Sequence, residues 1–109
     1  MMDDICGAMI QLDLDGKITF WNNTAENMLG YCESEVIGSD AVEKIFINNT
    51  GDDDMIKVAK SGEVYYSFDS YVKNKDGDMQ PVALVTSPLN DETGSLTGVT
   101  ILVSNVLMI

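Results

Sequence analysis

The stretch Asp15-Gly16-Lys17-Ile18-Thr19-Phe20-Trp21-Asn22 decides the fold of this chain, because it sets a tight turn between two strand-like runs. Before it, residues 8–14 alternate between apolar and other side chains, which predicts a strand. After it, residues 17–21 predict a returning strand, since Asp-Gly favours the backbone of a hairpin turn. The chain therefore opens with an antiparallel hairpin.

Strict alternation along the second strand assigns its side chains to two faces. Ile18 and Phe20 are expected on one face, and Thr19 and Trp21 on the other. Ile18 and Phe20 are the pair that we expect to face the core. Trp21 is then expected on the outer face of the sheet.

The rest of the sequence alternates between a helical region and a second group of strands. Glycines and capping residues predict short helices over residues 25–29, 34–37, 41–46 and 55–61, separated by polar turns that include 48–54. Apolar, β-branched runs predict three further strands over residues 64–73, 79–89 and 96–106. Helices between two groups of hairpin-linked strands indicate an α+β fold with an antiparallel sheet.

Charge limits the classes of partner. The chain carries 18 acidic residues against six lysines and no arginine, for a net charge of −12. Such a surface repels phosphate backbones and anionic lipid, so we expect neither nucleic-acid binding nor membrane insertion. Met1-Met2-Asp3-Asp4 shows no basic segment followed by an apolar run, so we expect no signal peptide and a cytoplasmic protein with reduced thiols.

The composition also argues against catalysis and metal binding. The chain of 109 residues has no histidine, which excludes a Ser-His-Asp or Cys-His centre within it and a histidine-ligated haem. Cys6 and Cys32 have no metal-binding spacing. The first hairpin partly matches a calcium loop, but Gln11 and Asn22 stand at its first and last ligand positions, where carboxylates are needed. We expect no metal site, no identifiable cofactor and no enzyme activity.

Taken in order, the motifs resemble the PAS domain family. The resemblance rests on the opening stretch at 15–22, Ala25-Glu26, Gly30-Tyr31, Glu35-Val36-Ile37-Gly38, Gly62-Glu63, Lys75-Asp76-Gly77, Ser87-Pro88-Leu89, Gly94 and Gly98. It covers about residues 5–106 and implies one domain over 1–109, belonging to a larger protein. It also implies a five-stranded antiparallel sheet in the order 2-1-5-4-3, with short helices on one face.

Two features separate this sequence from family patterns. Cys32 lies outside the Gly-x-Asn-Cys-Arg-Phe-Leu-Gln motif of the flavin-binding members, which this chain lacks, so we expect no flavin–cysteine adduct. Members often end in Asp-Ile-Thr, which couples the sheet to the output helix. Here Asn105-Val106-Leu107 stands there, and Asn105 is the candidate for signal coupling.

The resemblance implies two candidate surfaces. The ligand-pocket candidates, expected between sheet and helices, are Ile10, Leu12, Ile18, Phe20, Leu29, Val42, Ile45, Phe46, Leu84, Thr86, Ile101 and Val103. These would equally make a filled core. The interface candidates, expected on the outer face, are Met9, Trp21, Val85 and Leu102.

Two functions follow from this resemblance. The first is a signal-input module that senses a small apolar ligand or a partner and passes the change to an output domain after Ile109, of the two-component or cyclic-dinucleotide type among others. The alternative is a ligand-free module for dimerisation or protein interaction, and in either case a homodimer through the outer sheet face is expected.

Overall fold

A computed structural model describes residues 7–46, 57 and 60–105 of the chain. Its strands are β1 (Ala8–Asp13), β2 (Ile18–Trp21), β3 (Tyr65–Lys73), β4 (Met79–Asn90) and β5 (Leu96–Asn105). Between β2 and β3 lie the helices α1 (Asn23–Leu29), α2 (Glu33–Val36) and α3 (Ala41–Lys44). The strands form one antiparallel sheet in the order β2-β1-β5-β4-β3, so the predicted α+β fold and strand order are confirmed.

Some expectations fall outside the described residues. They concern Cys6, the loop at 48–54, most of the helix expected at 55–61, and the end of the last strand at Val106.

The start of α1 is fixed by one amide side chain. The Oδ1 atom of Asn22 accepts a bond from the backbone N–H of Ala25 at 2.9 Å, which caps the helix. The same oxygen accepts the N–H of Met9 at 3.0 Å, which ties the cap to β1. At the other end Gly30 has φ 86°, and its N–H donates to the carbonyl of Glu26. The left-handed backbone at this position suits glycine, which has no Cβ to clash.

Three hairpin turns share the same sequence pattern. Each begins with an Asp or Asn and has glycine at its fourth position: Asp13–Lys17, Asn74–Asp78 and Asp91–Ser95. In each, the first residue's N–H donates to the fifth residue's carbonyl at 2.9 Å. Its side-chain oxygen also accepts the N–H of the fifth residue, at 2.9 to 3.0 Å. The side chain thus satisfies turn N–H groups that the sheet cannot.

The outer edge of β2 is covered by the chain that joins α2 to α3. The N–H of Ile18 donates to the carbonyl of Ser39 at 2.9 Å, and the N–H of Gly38 donates to the carbonyl of Ile18 at 2.8 Å. The N–H of Ala41 donates to the carbonyl of Gly16 at 3.0 Å. This pairing protects an edge that would otherwise present free backbone groups.

β4 contains both prolines of the chain and extends one residue past the predicted end at Leu89, to Asn90. Pro88 pairs with Val99 of β5, but the described β3 pairs end at Thr86, so no β3 partner lies opposite it. Pro81 pairs with Tyr71 of β3 and lies just before the first described β5 pair, at Val82. Each proline therefore lies at a position where, among the described pairs, β4 is paired with only one of its two neighbouring strands.

The predicted facing of Phe20 and Trp21 is wrong. Phe20 is 39% exposed, whereas Trp21 is only 3% exposed and belongs to the core. The pairing explains this, because Leu12 is opposite Ile18 while its neighbour Gln11 is opposite Phe20, which leaves Thr19 as an extra residue in β2. Such a β-bulge reverses the alternation, so that Trp21 shares the inner face with Ile18.

The buried indole of Trp21 has a hydrogen-bond partner and an aromatic neighbour in the core. Its Nε1–H donates to the carbonyl of Tyr31 at 3.0 Å, and the two rings meet edge to face with centroids 6.4 Å apart. The ammonium of Lys44 lies 4.8 Å from the centre of the Tyr31 ring, within range of a cation–π contact. The buried donor is therefore satisfied, and Trp21 joins β2 to the turn after α1.

Trp21 and Phe20 form a matched pair for testing the bulge. Trp21→Ala removes a buried aromatic ring and should lower the free energy of unfolding by ~3–5 kcal/mol. Phe20→Ala removes a half-exposed ring and should lower it by only about 1 kcal/mol. Urea denaturation of both variants, with slopes equal to the wild type, measures the difference. Equal losses in the two variants would show that β2 alternates regularly, without the bulge.

Asp91 should contribute a pH-dependent part of the stability. A hydrogen bond from the Thr93 hydroxyl, together with the N–H groups of the turn, holds the pKa of Asp91 below its ordinary value. A carboxyl whose pKa is lower in the folded chain stabilises fully above its unfolded pKa, and this contribution is lost as the pH falls through the folded pKa.

Asp91→Asn keeps an acceptor, as Asn74 does in the equivalent turn, but removes the charge. We expect the variant to be less stable than the wild type at neutral pH and to lose less stability on acidification below pH ~4, the unperturbed range of an Asp carboxyl. Urea melts across the acid range measure this, with Glu92→Gln as a control that removes a charge from the same turn. A stability difference independent of pH would contradict the assignment.

Candidate functional site

Ten of the twelve pocket candidates are buried in the described structure. The buried members, each 0–1% exposed, are Ile10, Leu12, Ile18, Leu29, Ile45, Phe46, Leu84, Thr86, Ile101 and Val103. Phe20 faces away from this layer, and the side chain of Val42 lies outside the described part of the chain. The structure thus brings together one apolar surface between the inner sheet face and the helices.

Sequence reasoning left several members of this inner layer out of the pocket. Trp21 was assigned to the other face, and Val72 of the edge strand and Val99 of β5 were not singled out for it. Val72 follows a second register shift, between Ser67 and Ser70, which interrupts the alternation along β3. A two-residue period cannot locate such a shift, so the strand pattern does not mark Val72 as inward. Val99 differs, because it lies two residues before Ile101 on β5 and simple alternation would have placed it on the inner face.

Thr86 is the one chemically unusual residue of the inner layer. It is 0% exposed, and its hydroxyl has no hydrogen-bond partner among the residues that the structure describes. Burying a hydroxyl without a partner costs roughly 1–3 kcal/mol in proteins. A valine would fill nearly the same volume without that cost. The threonine therefore carries a penalty that packing does not explain.

The neighbours of Thr86 are known from the sheet register. It pairs with Ile101 of β5 on one side and with Tyr65 of the edge strand β3 on the other. Ile101 is fully buried, whereas Tyr65 is half-buried and packs against the core. Thr86 thus lies one strand in from the β3 edge of the sheet, with a tyrosine between it and that edge.

The described part of this inner layer has no buried charged side chain. Among the described residues, the buried polar side chains are those of Thr86 and Ser70. The hydroxyl of Ser70 is 2.5 Å from that of Ser67, so those two satisfy each other. A site built from these residues has no counterion for a charged ligand. It suits a neutral, mostly apolar molecule.

The β3–β4 turn is fastened to the helices at the rim of this layer. The backbone N–H of Lys75 donates to the carbonyl of Leu29 at 2.8 Å, and its ammonium forms an ion pair with Glu35 at 2.7 Å. The amide of Gln80 donates to the carbonyl of Met28 at 3.2 Å. The hydrogen bond between Lys75 and Glu35 lowers the pKa of Glu35 and raises the pKa of Lys75. These contacts hold sheet and helices together at one end.

The outer face of the sheet carries an apolar row that crosses four strands. Met9, Leu102, Val85 and Tyr66 are consecutive cross-strand partners on β1, β5, β4 and β3. The first three are half-buried, and Tyr66 is 61% exposed. This outer row includes three of the four interface candidates and adds Tyr66, while Trp21 does not belong to it. Phe20, also outward, lies opposite Gln11, which is two residues from Met9 on β1.

The described residues contain no cluster of three or more His, Cys, Asp or Glu side chains that could hold a metal ion. In the turn that resembles a calcium loop, Asp13 Oδ1 accepts the backbone N–H groups of Asp15 and Lys17, at 2.9 and 3.0 Å. Cys32 is an exposed free thiol. The side chain of Asn105, the coupling candidate, lies outside the described part, although its backbone pairs with Val82.

Comparison with known proteins agrees with this architecture. The family model described as PAS fold matches residues 1–106. A PAS domain of a protein from Colwellia psychrerythraea is similar in structure, with a TM-score of 0.76, 21% identity and coverage of 95% of this chain and 89% of that one. The LOV domain of a blue-light-activated histidine kinase from Erythrobacter litoralis has a TM-score of 0.77 at 17% identity, covering 94% and 97%.

A third similar structure belongs to a longer protein. VqmA of Vibrio cholerae, solved as a dimer, has a TM-score of 0.77 at 15% identity, and the match covers 97% of this chain but 50% of VqmA. Identities this low show a shared fold. No protein with a curated description matches the sequence. Within the described ranges, none of the helices has the length and apolarity needed to span a membrane.

Proposed function

The chain belongs to the PAS family, and from that premise we propose that it is a signal-input module that binds a small neutral ligand between the inner sheet face and the helices. The observation that carries this proposal is Thr86, whose buried hydroxyl has no described partner in a layer whose described members are mostly apolar. A polar group kept at a cost in stability is expected where a ligand completes its hydrogen bonding.

The proposed mechanism is a shift between two packings of one domain. A ligand changes their balance only by as much as its affinities for the two differ. The inner layer reaches β5 through Ile101 and Val103, and β5 leads towards the C-terminus. We propose that the shift passes along β5, through the region of Asn105, to an output domain after Ile109. Any catalytic step would then belong to that domain and not to this one, which we propose to be cytoplasmic.

This proposal can be tested by looking for the ligand directly. Native mass spectrometry of the purified domain should reveal a small neutral molecule or, after a screen of apolar compounds, one that raises the melting temperature. Saturation at 100 times the Kd stabilises by ~2.7 kcal/mol. The protein should show neither a Soret band nor a flavin spectrum.

Ile101→Phe and Leu102→Phe provide a matched control for the position of the site. The two residues are adjacent on β5, but Ile101 is buried on the inner face and Leu102 is half-buried on the outer one. Ile101→Phe should fill the ligand space and abolish the thermal shift, while Leu102→Phe should preserve it. Circular dichroism checks that both variants fold. Equal ligand response in both would exclude the inner layer as the site.

A second candidate function, dimerisation, is favoured by the outer row. The row carries no charged side chain in a chain whose net charge is −12. A second copy meets less electrostatic repulsion where such a charge-free row faces its equivalent, as in a two-fold symmetric interface. The structural relative VqmA is described as a dimer. We propose that this chain also forms a homodimer, through the outer row.

Leu102→Lys tests the dimer, because it places a charge in the centre of the outer row. We expect the variant to remain folded and to be monomeric by light scattering at concentrations where the wild type is dimeric. Asn27→Lys adds the same charge on the exposed surface of α1 and should leave the dimer intact. Added salt should strengthen wild-type association by screening the acidic surface. A dimer that survives Leu102→Lys would place the interface elsewhere.

A further inference from the structure

We infer that Thr86 selects the ligand: the bound molecule is uncharged and presents a hydrogen-bond acceptor, such as a carbonyl oxygen, to the Thr86 hydroxyl. This inference rests on the proposed ligand site and specifies its chemistry. The hydroxyl lies on a residue that is 0% exposed and has no described partner, so it is available to a molecule inserted beside it.

The surroundings of Thr86 determine what kind of molecule fits. Its cross-strand neighbours are Ile101 and Tyr65, and its inward neighbour along β4 is Leu84. None of these side chains is charged at neutral pH. A carboxylate, phosphate or ammonium would therefore lose its hydration without gaining a counterion. An apolar molecule with one neutral acceptor has a small desolvation cost, and it gains a hydrogen bond from the Thr86 hydroxyl.

The position of the hydroxyl also gives it discriminating power. A site built to hydrogen-bond a ligand group rejects an analogue that lacks the group, because the protein's own polar atom is then left unpaired. The serine pair on β3 differs from Thr86, since the Ser67 and Ser70 hydroxyls bond each other. Among the buried polar side chains of the described residues, Thr86 is the one whose hydroxyl has no described partner.

Two probes of similar shape test this chemistry. Acetophenone carries a carbonyl oxygen, and ethylbenzene is nearly the same molecule without it. Titration of methyl-labelled protein, followed by NMR, gives a Kd for each compound. We expect the wild type to bind acetophenone ~10-fold more tightly, the ratio that about 1.4 kcal/mol provides.

Two substitutions separate the effect of the Thr86 hydroxyl on ligand binding from the effect of the side chain's shape. Thr86→Val keeps the volume and removes the hydroxyl, so it should abolish the preference for acetophenone while ethylbenzene still binds. Without ligand, this variant should melt about 4 °C higher than the wild type, because the unpaired group is gone. Thr86→Ser keeps the hydroxyl and should keep the preference, which controls for the effect of changing the residue.

The possible outcomes distinguish the two proposals. A preference present in the wild type and in Thr86→Ser, and lost in Thr86→Val, supports both. Equal binding of the two probes by the wild type, or a preference that persists in Thr86→Val, overturns the role of Thr86 but leaves a ligand site. Binding of neither probe at millimolar concentration, with Thr86→Val no more stable than the wild type, overturns both proposals.

Discussion

The pairing of the first strand with the last is the interaction on which the rest of this structure depends. β1 and β5 lie at the centre of the sheet, with Ala8 opposite Val103 and Asp13 opposite Gly98. The approach is so close that a Cβ at Gly98 would overlap the carbonyl oxygen of Leu12. Because the partners are some 85 to 95 residues apart in sequence, their pairing closes a loop of nearly the whole chain, and the entropy lost in that closure must be offset by contacts across the fold. The helices and the flanking hairpins are arranged around this pair.

Local features of the sequence predict most of the fold, because each of them sets the backbone conformation of residues only a few positions away. An Asp or Asn followed three residues later by glycine specifies each of the hairpin turns, and the N-cap of α1 is a single asparagine, Asn22. Strand order is not local in this sense. It was obtained from the resemblance to a family, and periodicity by itself would have left the partner of β1 undetermined beyond β2.

The inward direction of Trp21 could not be predicted from the same alternation, and the reason is physical. One extra residue, Thr19, shifts every later side chain of β2 to the other face. The pattern Ile-Thr-Phe-Trp offers an apolar residue to the core in either register, so hydrophobicity does not choose between them. The choice depends on Tyr31, whose carbonyl accepts the indole N–H and whose ring packs on Trp21. That partner lies beyond α1, where strand periodicity carries no information.

The candidate ligand site and the candidate dimer surface share β5. Ile101 faces the inner layer beside Thr86, and the next residue, Leu102, faces outward in the centre of the outer row. A strand between two packed surfaces cannot shift on one face without moving the side chains on the other. If a ligand repositions Ile101, Leu102 moves with it, and the affinity between two copies of the chain changes. Linkage then requires that dimerisation change ligand affinity by the same factor. Under the two proposals together, ligand binding and self-association would therefore be coupled, and β5 would be the element that couples them.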